Sequence, residues 1–135
     1  MQNKKYILLN NILLILIMAF IFGYLFGYKP FVVISNSMEP TIRKGDLIIS
    51  KKQSRYEVDD VITFKSNNQF VTHRIIDKFK DHNSAEISFT TKGDANFSSD
   101  LKSISQKDIF GKVVTNISYI GYLITVLQFN VKNFI

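Results

Sequence analysis

Residues 7–28 read Ile-Leu-Leu-Asn-Asn-Ile-Leu-Leu-Ile-Leu-Ile-Met-Ala-Phe-Ile-Phe-Gly-Tyr-Leu-Phe-Gly-Tyr. Roughly twenty apolar residues in a row are what a helix needs to cross a hydrocarbon core. Asn10 and Asn11, near the start, are expected at the headgroup level, and Tyr24 and Tyr28 in the aromatic belt at the other face. Lys29 and Pro30 are expected to end the helix, one by snorkelling and the other by breaking the hydrogen-bond ladder. Lys4, Lys5 and the amino terminus precede the run and only Lys29 follows it closely, so the positive-inside rule puts the N-terminus in the cytoplasm and the rest outside. A cleaved secretory signal is the competing reading. The run is long for one, and its exit, Gly27-Tyr28-Lys29-Pro30-Phe31, lacks an Ala-x-Ala-like site, so an uncleaved anchor is favoured.

Of the 135 residues, the anchor leaves room for one further domain of ordinary size. An apolar share of 46% and a charged share of 21% argue against disorder. The net charge of +6 comes from 17 Lys and Arg scattered from Lys4 to Lys132, with no basic helix, so no nucleic-acid partner is expected. A dispersed basic surface does suit a neighbouring lipid bilayer with anionic headgroups. The chain has no cysteine, which removes disulfides, thiol nucleophiles and thiolate metal sites. His73 and His82 lack zinc spacing, so neither a metal nor a cofactor is expected.

Beyond Pro30 the apolar runs shorten to strand length. Strands are expected over 31–35, 46–51, 61–65, 69–79, 85–92 and 109–116, with a hairpin loop at Ser66-Asn67-Asn68. The expectation is a mainly β protein: anchor over 1–29, antiparallel β domain over 30–116, and an apolar tail over 117–135. That tail suits a core-packing helix, an interfacial helix or a short second anchor, in that order.

Three stretches carry candidate chemistry. Ser37 stands in Val33-Ile34-Ser35-Asn36-Ser37-Met38-Glu39-Pro40, just past the anchor. His73 stands in Gln69-Phe70-Val71-Thr72-His73-Arg74, where strand alternation puts Val71, His73 and Ile75 on one face. Asp94 and Asp100 stand in Lys92-Gly93-Asp94-Ala95-Asn96-Phe97-Ser98-Ser99-Asp100. A serine hydroxyl attacks well only when a neighbour takes its proton, and imidazole does this near neutral pH. Each residue alone has a plainer reading: a turn serine, a strand histidine, a turn aspartate or a helix cap. His82, in a polar turn, reads as a surface residue. The combination on one membrane-anchored β domain points to a serine hydrolase acting on peptide bonds.

Taken together, Ser37-Met38-Glu39-Pro40, Gly45-Asp46, Thr72-His73-Arg74, Lys92-Gly93-Asp94-Ala95-Asn96 with Asp100, and Gly111-Lys112-Val113 resemble type I signal peptidases. The resemblance runs from the anchor to about Leu127. A histidine where most bacterial members carry a lysine resembles the endoplasmic-reticulum-type subgroup, also found in archaea and some Gram-positive bacteria. The resemblance implies a compact antiparallel β fold and cleavage of N-terminal signal peptides from exported preproteins at the membrane, with association with the protein export machinery left open. It implies Ser37 as nucleophile, His73 as general base, and Ser35 with the Ser37 backbone N–H as oxyanion donors. Either Asp100 or Asp94 would orient the histidine. An extended substrate would lie beside residues 31–35 and His73, with Ile34 and Ile75 lining small side-chain pockets. Two other readings stand beside this one: a single-pass β module that binds extended peptides or a partner without catalysis, and a self-cleaving regulator of the Ser/Lys type, which the anchor and the histidine oppose.

Overall fold

The computed structural model describes residues 2–80 and 86–123. His82 and residues 124–135 of the tail lie outside the described residues. A single long helix, α1 (Gln2–Leu25), precedes a sheet of seven strands: β1 (Tyr28–Val32), β2 (Leu47–Lys51), β3 (Val61–Ser66), β4 (Gln69–Lys80), β5 (Ile87–Lys92), β6 (Ile104–Ser105) and β7 (Ile109–Ile117). A mainly β chain with an N-terminal helix is what the apolar patterning predicts.

Within α1, Asn3–Leu25 has a mean hydropathy of 2.3 and none of it is buried, so it is long and apolar enough to cross a membrane. The helix stops earlier than expected. Gly27 adopts φ 85°, the left-handed turn open to a residue without Cβ, and its N–H donates to the Tyr24 carbonyl at 3.1 Å. Lys29 and Pro30, expected as terminators, belong to β1. Pro30 is tolerated there because β1 is an edge strand, where a missing N–H breaks no second ladder. The Lys29 ammonium folds back over the Tyr24 ring, 3.1 Å from its centroid, and ties the strand to the helix end.

The strands run in the order β1-β2-β7-β3-β4-β5-β6, every neighbouring pair antiparallel. The β3–β4 hairpin closes through Asn67 and Asn68 at φ 47° and 63°, the positive pair that a two-residue turn needs to match strand twist. β3 is buried on both faces. Ile62 and Phe64 join Tyr56, Ile75, Phe89 and Ile109 in the larger core. On its other face Thr63 is fully buried and hydrogen-bonds Ser50 at 2.8 Å and Thr72 at 3.0 Å, which satisfies three hydroxyls inside the sheet. A smaller core of Met38, Ile42 and Ile48, backed by Phe31 and Val33, lies toward β1.

Two pairings matter for the site. β5 pairs with β4 only from Arg74 onward, so the edge of β4 from Gln69 to His73 has no strand beside it among the described residues. Among the described residues β1 pairs only with β2, so its outer edge is open as well. A cleft of about 580 Å³ lies between these edges, with Phe31, Ile34 and Ser37 on one wall and Phe70, Val71 and His73 on the other.

Candidate active site

Ser37 is carried by the loop from Val33 to Asp46, pinned at both ends and in the middle. The Val33 N–H donates to the Asp46 carbonyl at 2.9 Å and the Gly45 N–H to the Val33 carbonyl at 2.8 Å, closing the loop at its base. The buried Asp46 carboxylate accepts from the N–H groups of Arg43 at 3.0 Å and Tyr119 at 3.2 Å. Met38 and Ile42 are almost fully buried in the smaller core, each such side chain worth roughly 1.5–3 kcal/mol. The residue after the serine is thus an anchor, and the serine is held at the cleft wall.

His73 lies on β4, 8% exposed, with its ring edge-on to Phe64. Its Nε2 is 3.2 Å from the Ser37 Oγ. Its Nδ1 is 2.7 Å from Asp100 Oδ2. A carboxylate accepts, so Nδ1 carries the proton toward Asp100 and Nε2 is left as the acceptor for the serine hydroxyl. Asp100 is held in turn: Thr91 Oγ1 donates to the same Oδ2 at 2.6 Å, and the Asp100 N–H donates to the Thr91 carbonyl at 2.8 Å. Ser35 Oγ stands 3.2 Å from Ser37 Oγ, on the exposed side of the loop.

Asp94 goes elsewhere. Both its carboxylate oxygens accept from Arg74, at 2.9 Å from Nε and 2.7 Å from the terminal nitrogen, and Arg74 also donates to the Asp59 carbonyl at 2.9 Å. The paired Arg74 hydrogen bonds hold the Asp94 carboxyl below the usual carboxylate range against the opposing push of burial, with Thr41 adding to the lowering. Arg74 is raised above its ordinary value, first by the same hydrogen bond. This clamp fixes the loop after β5 against the serine loop, where the Ala95 N–H donates to the Ser37 carbonyl at 2.9 Å. Gly93 allows the approach: a Cβ there would stand 2.5 Å from the Ser37 carbonyl oxygen.

Of the residues singled out from the sequence, Ser35, Ser37, His73 and Asp100 stand together, Asp94 stands beside them on Arg74, and Ile34 lines the cleft, 76% exposed. Ile75 does not. It shares a face with His73, but two residues further along an extended strand is about 6–7 Å, which carries it into the larger core at 0% exposure. Two contributors went unassigned from the sequence. Thr91 carried no local signal beyond strand propensity. Arg74 could have been suspected, since a cation next to His73 on a strand must face the opposite side and need an acid there.

A family model described as signal peptidase, peptidase S26, matches residues 5–85. The chain belongs to this signal peptidase family. The signal peptidase complex catalytic subunit SEC11 of Fusarium vanettenii is 33% identical over 109 residues, covering 72% of this chain and 62% of that protein. Signal peptidase I W of Bacillus subtilis is 40% identical over 90 residues, 62% of this chain and 45% of that protein. The SEC11 subunit of Candida tropicalis is 28% identical over 117 residues, 78% of this chain and 69% of that protein. The chain therefore spans about 62% of the length of the Fusarium signal peptidase subunit it matches. The family match ends within residue 85, so Asp94 and Asp100 fall beyond it.

Proposed function

We propose that this chain is a membrane-anchored serine endopeptidase that removes N-terminal signal peptides from exported preproteins. Residues 1–29 form the cytoplasmic start and the anchor, and residues 30–116 the catalytic domain outside the membrane, an orientation supported by Lys4 and Lys5 before the span. The observation that carries the reading is the continuous relay from Ser37 Oγ through both His73 nitrogens to Asp100.

In the proposed reaction Ser37 Oγ attacks the scissile carbonyl carbon while His73 Nε2 takes its proton. Negative charge collects on the former carbonyl oxygen, which accepts from the Ser35 hydroxyl and the Ser37 N–H. The C–N bond breaks as Nε2 returns the proton to the leaving amine, freeing the mature N-terminus and leaving an acyl-serine. Water, deprotonated by the same nitrogen, then releases the signal peptide and restores Ser37. Asp100 keeps accepting from Nδ1 and stabilises the imidazolium formed in each half. The two edges without a strand beside them among the described residues support the mode of binding: an extended segment laid between β1 and the start of β4 would complete both ladders. Anchor and substrate share one bilayer, which raises their effective concentration. Relatives named as subunits of a signal peptidase complex support work alongside companion proteins of export.

The test is cleavage of a model preprotein in liposomes. Ser37→Ala and His73→Ala should each lower the rate by about 10⁴-fold or more while the protein remains folded. Full activity in either variant would leave the relay without a role and favour a peptide-binding module instead.

A further inference from the structure

We infer that Phe31 and Phe70, which line this cleft, form with Phe110 packed edge-on against them a second subsite, one that receives a large apolar side chain of the substrate about four to six residues upstream of the scissile bond. The inference rests on the endopeptidase reading above. The rings come from three distant strands, β1, β4 and β7, and touch pairwise: 5.1 Å between the centroids of Phe31 and Phe70, 4.7 Å between Phe70 and Phe110, and 6.4 Å between Phe31 and Phe110. Phe110 stands edge-on to both others, at 88° and 84°. Phe70 is nevertheless 55% exposed and Phe110 37%. Phe31 backs the smaller core while also lining the cleft, and Phe70, in neither core, presents its exposed ring to the cleft beside it.

Strand direction decides which part of a substrate would meet it. β1 and β4 both run toward the catalytic pair: Phe31 precedes Ser37 by six positions and Phe70 precedes His73 by three. Alternation turns Phe70 away from the His73 face and toward Phe31. β1 starts at Tyr28, directly after the helix that ends at Leu25, so the Phe31 end of the cleft adjoins the anchor and the Ser37 end is remote from it. A substrate leaving the same bilayer enters at the Phe31 end and reaches Ser37 last. The residues upstream of its scissile bond therefore lie against the rings, in the stretch that has just left lipid and is most apolar. The cleft wall contributes no Asp, Glu, Lys or Arg among the described residues, so nothing there repels an apolar side chain.

The experiment uses the full chain in liposomes and two series of model preproteins that differ only in Leu or Ser at one position, moved from three to seven residues upstream of the cleavage site. The wild type should prefer Leu at one or two of these positions by about tenfold in kcat/KM, the scale of apolar pocket discrimination. Phe70→Ala should bring that ratio close to one, and Phe70→Leu should restore part of it. Binding of the same preproteins to Ser37→Ala should show the same preference, which guards against a Phe70 variant that folds poorly. A wild-type ratio near one at every position would overturn the subsite. So would a ratio unchanged in Phe70→Ala, including the case where both series slow equally because the rings touch lipid instead. If the wild type cleaves neither series, the endopeptidase reading itself fails; if it cleaves both alike, only the subsite does.

Discussion

The two faces of β4 hold two carboxylates from one loop by different means. On one face His73 meets Asp100 at 2.7 Å; on the other Arg74 meets Asp94 through two hydrogen bonds. The Asp100 contact ends on an imidazole, the group given the proton transfer in the proposed reaction. The Asp94 contact ends on a guanidinium that stays charged at any pH a protein meets, so it can only hold shape. Neighbouring strand residues face opposite ways, and that alone separates the carboxylate on the imidazole from the one on the guanidinium six positions away in sequence.

Four measurements would sharpen or break this contrast. Asp100→Asn keeps the shape but reverses the hydrogen-bond demand at Nδ1, so kcat should fall by about 10³–10⁴-fold with little change in thermal midpoint. A loss confined to stability would move Asp100 into the structural class. Gly93→Ala comes next: its Cβ would stand 2.5 Å from the Ser37 carbonyl oxygen, so the serine loop must shift, and a displacement of about 1 Å is worth roughly 10²-fold in rate. Unchanged kinetics would mean the loop yields without moving the Ser37 hydroxyl.

Asp94→Asn should act mainly on folding, by about 2 kcal/mol for the charge-assisted hydrogen bonds it weakens, read as a lower urea midpoint. The sign of its pH dependence follows from the direction of the Asp94 shift. A carboxyl held below its ordinary value stabilises the fold fully above the unfolded value near pH 4, and the contribution is lost as pH falls further. The stability difference between wild type and Asp94→Asn should therefore shrink on acidification below about pH 4. A gap that widened there would contradict the clamp. Smallest of all, the Lys78–Glu57 pair at 2.8 Å is a surface ion pair between the same strand and the segment before β3, and Glu57→Gln should change stability by less than about 1 kcal/mol.

Much of the architecture is legible in the residue pattern. Period-two patterning and the Asn-Asn turn located most strands to within a few residues, because alternation and positive-φ turn residues are local properties. The ends of α1 and β1 were misjudged, since Pro30 reads as a helix breaker in sequence while the actual stop is Gly27, and only the edge position of β1 makes a proline acceptable inside a strand. β6, two residues long, leaves no pattern to detect.

The site divides in the same way. Residue types and motif order were enough to bring Ser37, His73 and the two aspartates forward as candidates, because what a hydroxyl, an imidazole or a carboxylate can do is written in the side chain. Which aspartate touches the imidazole depends on the path of residues 93–100 over β4, and Ile75 shares its face with His73 yet ends in the core. The aromatic cluster unites residues 31, 70 and 110, which no local pattern connects. Sequence carries what each side chain can do and how its neighbours alternate; distances between groups that are tens of residues apart exist only once the strands have paired and the sheet has curled.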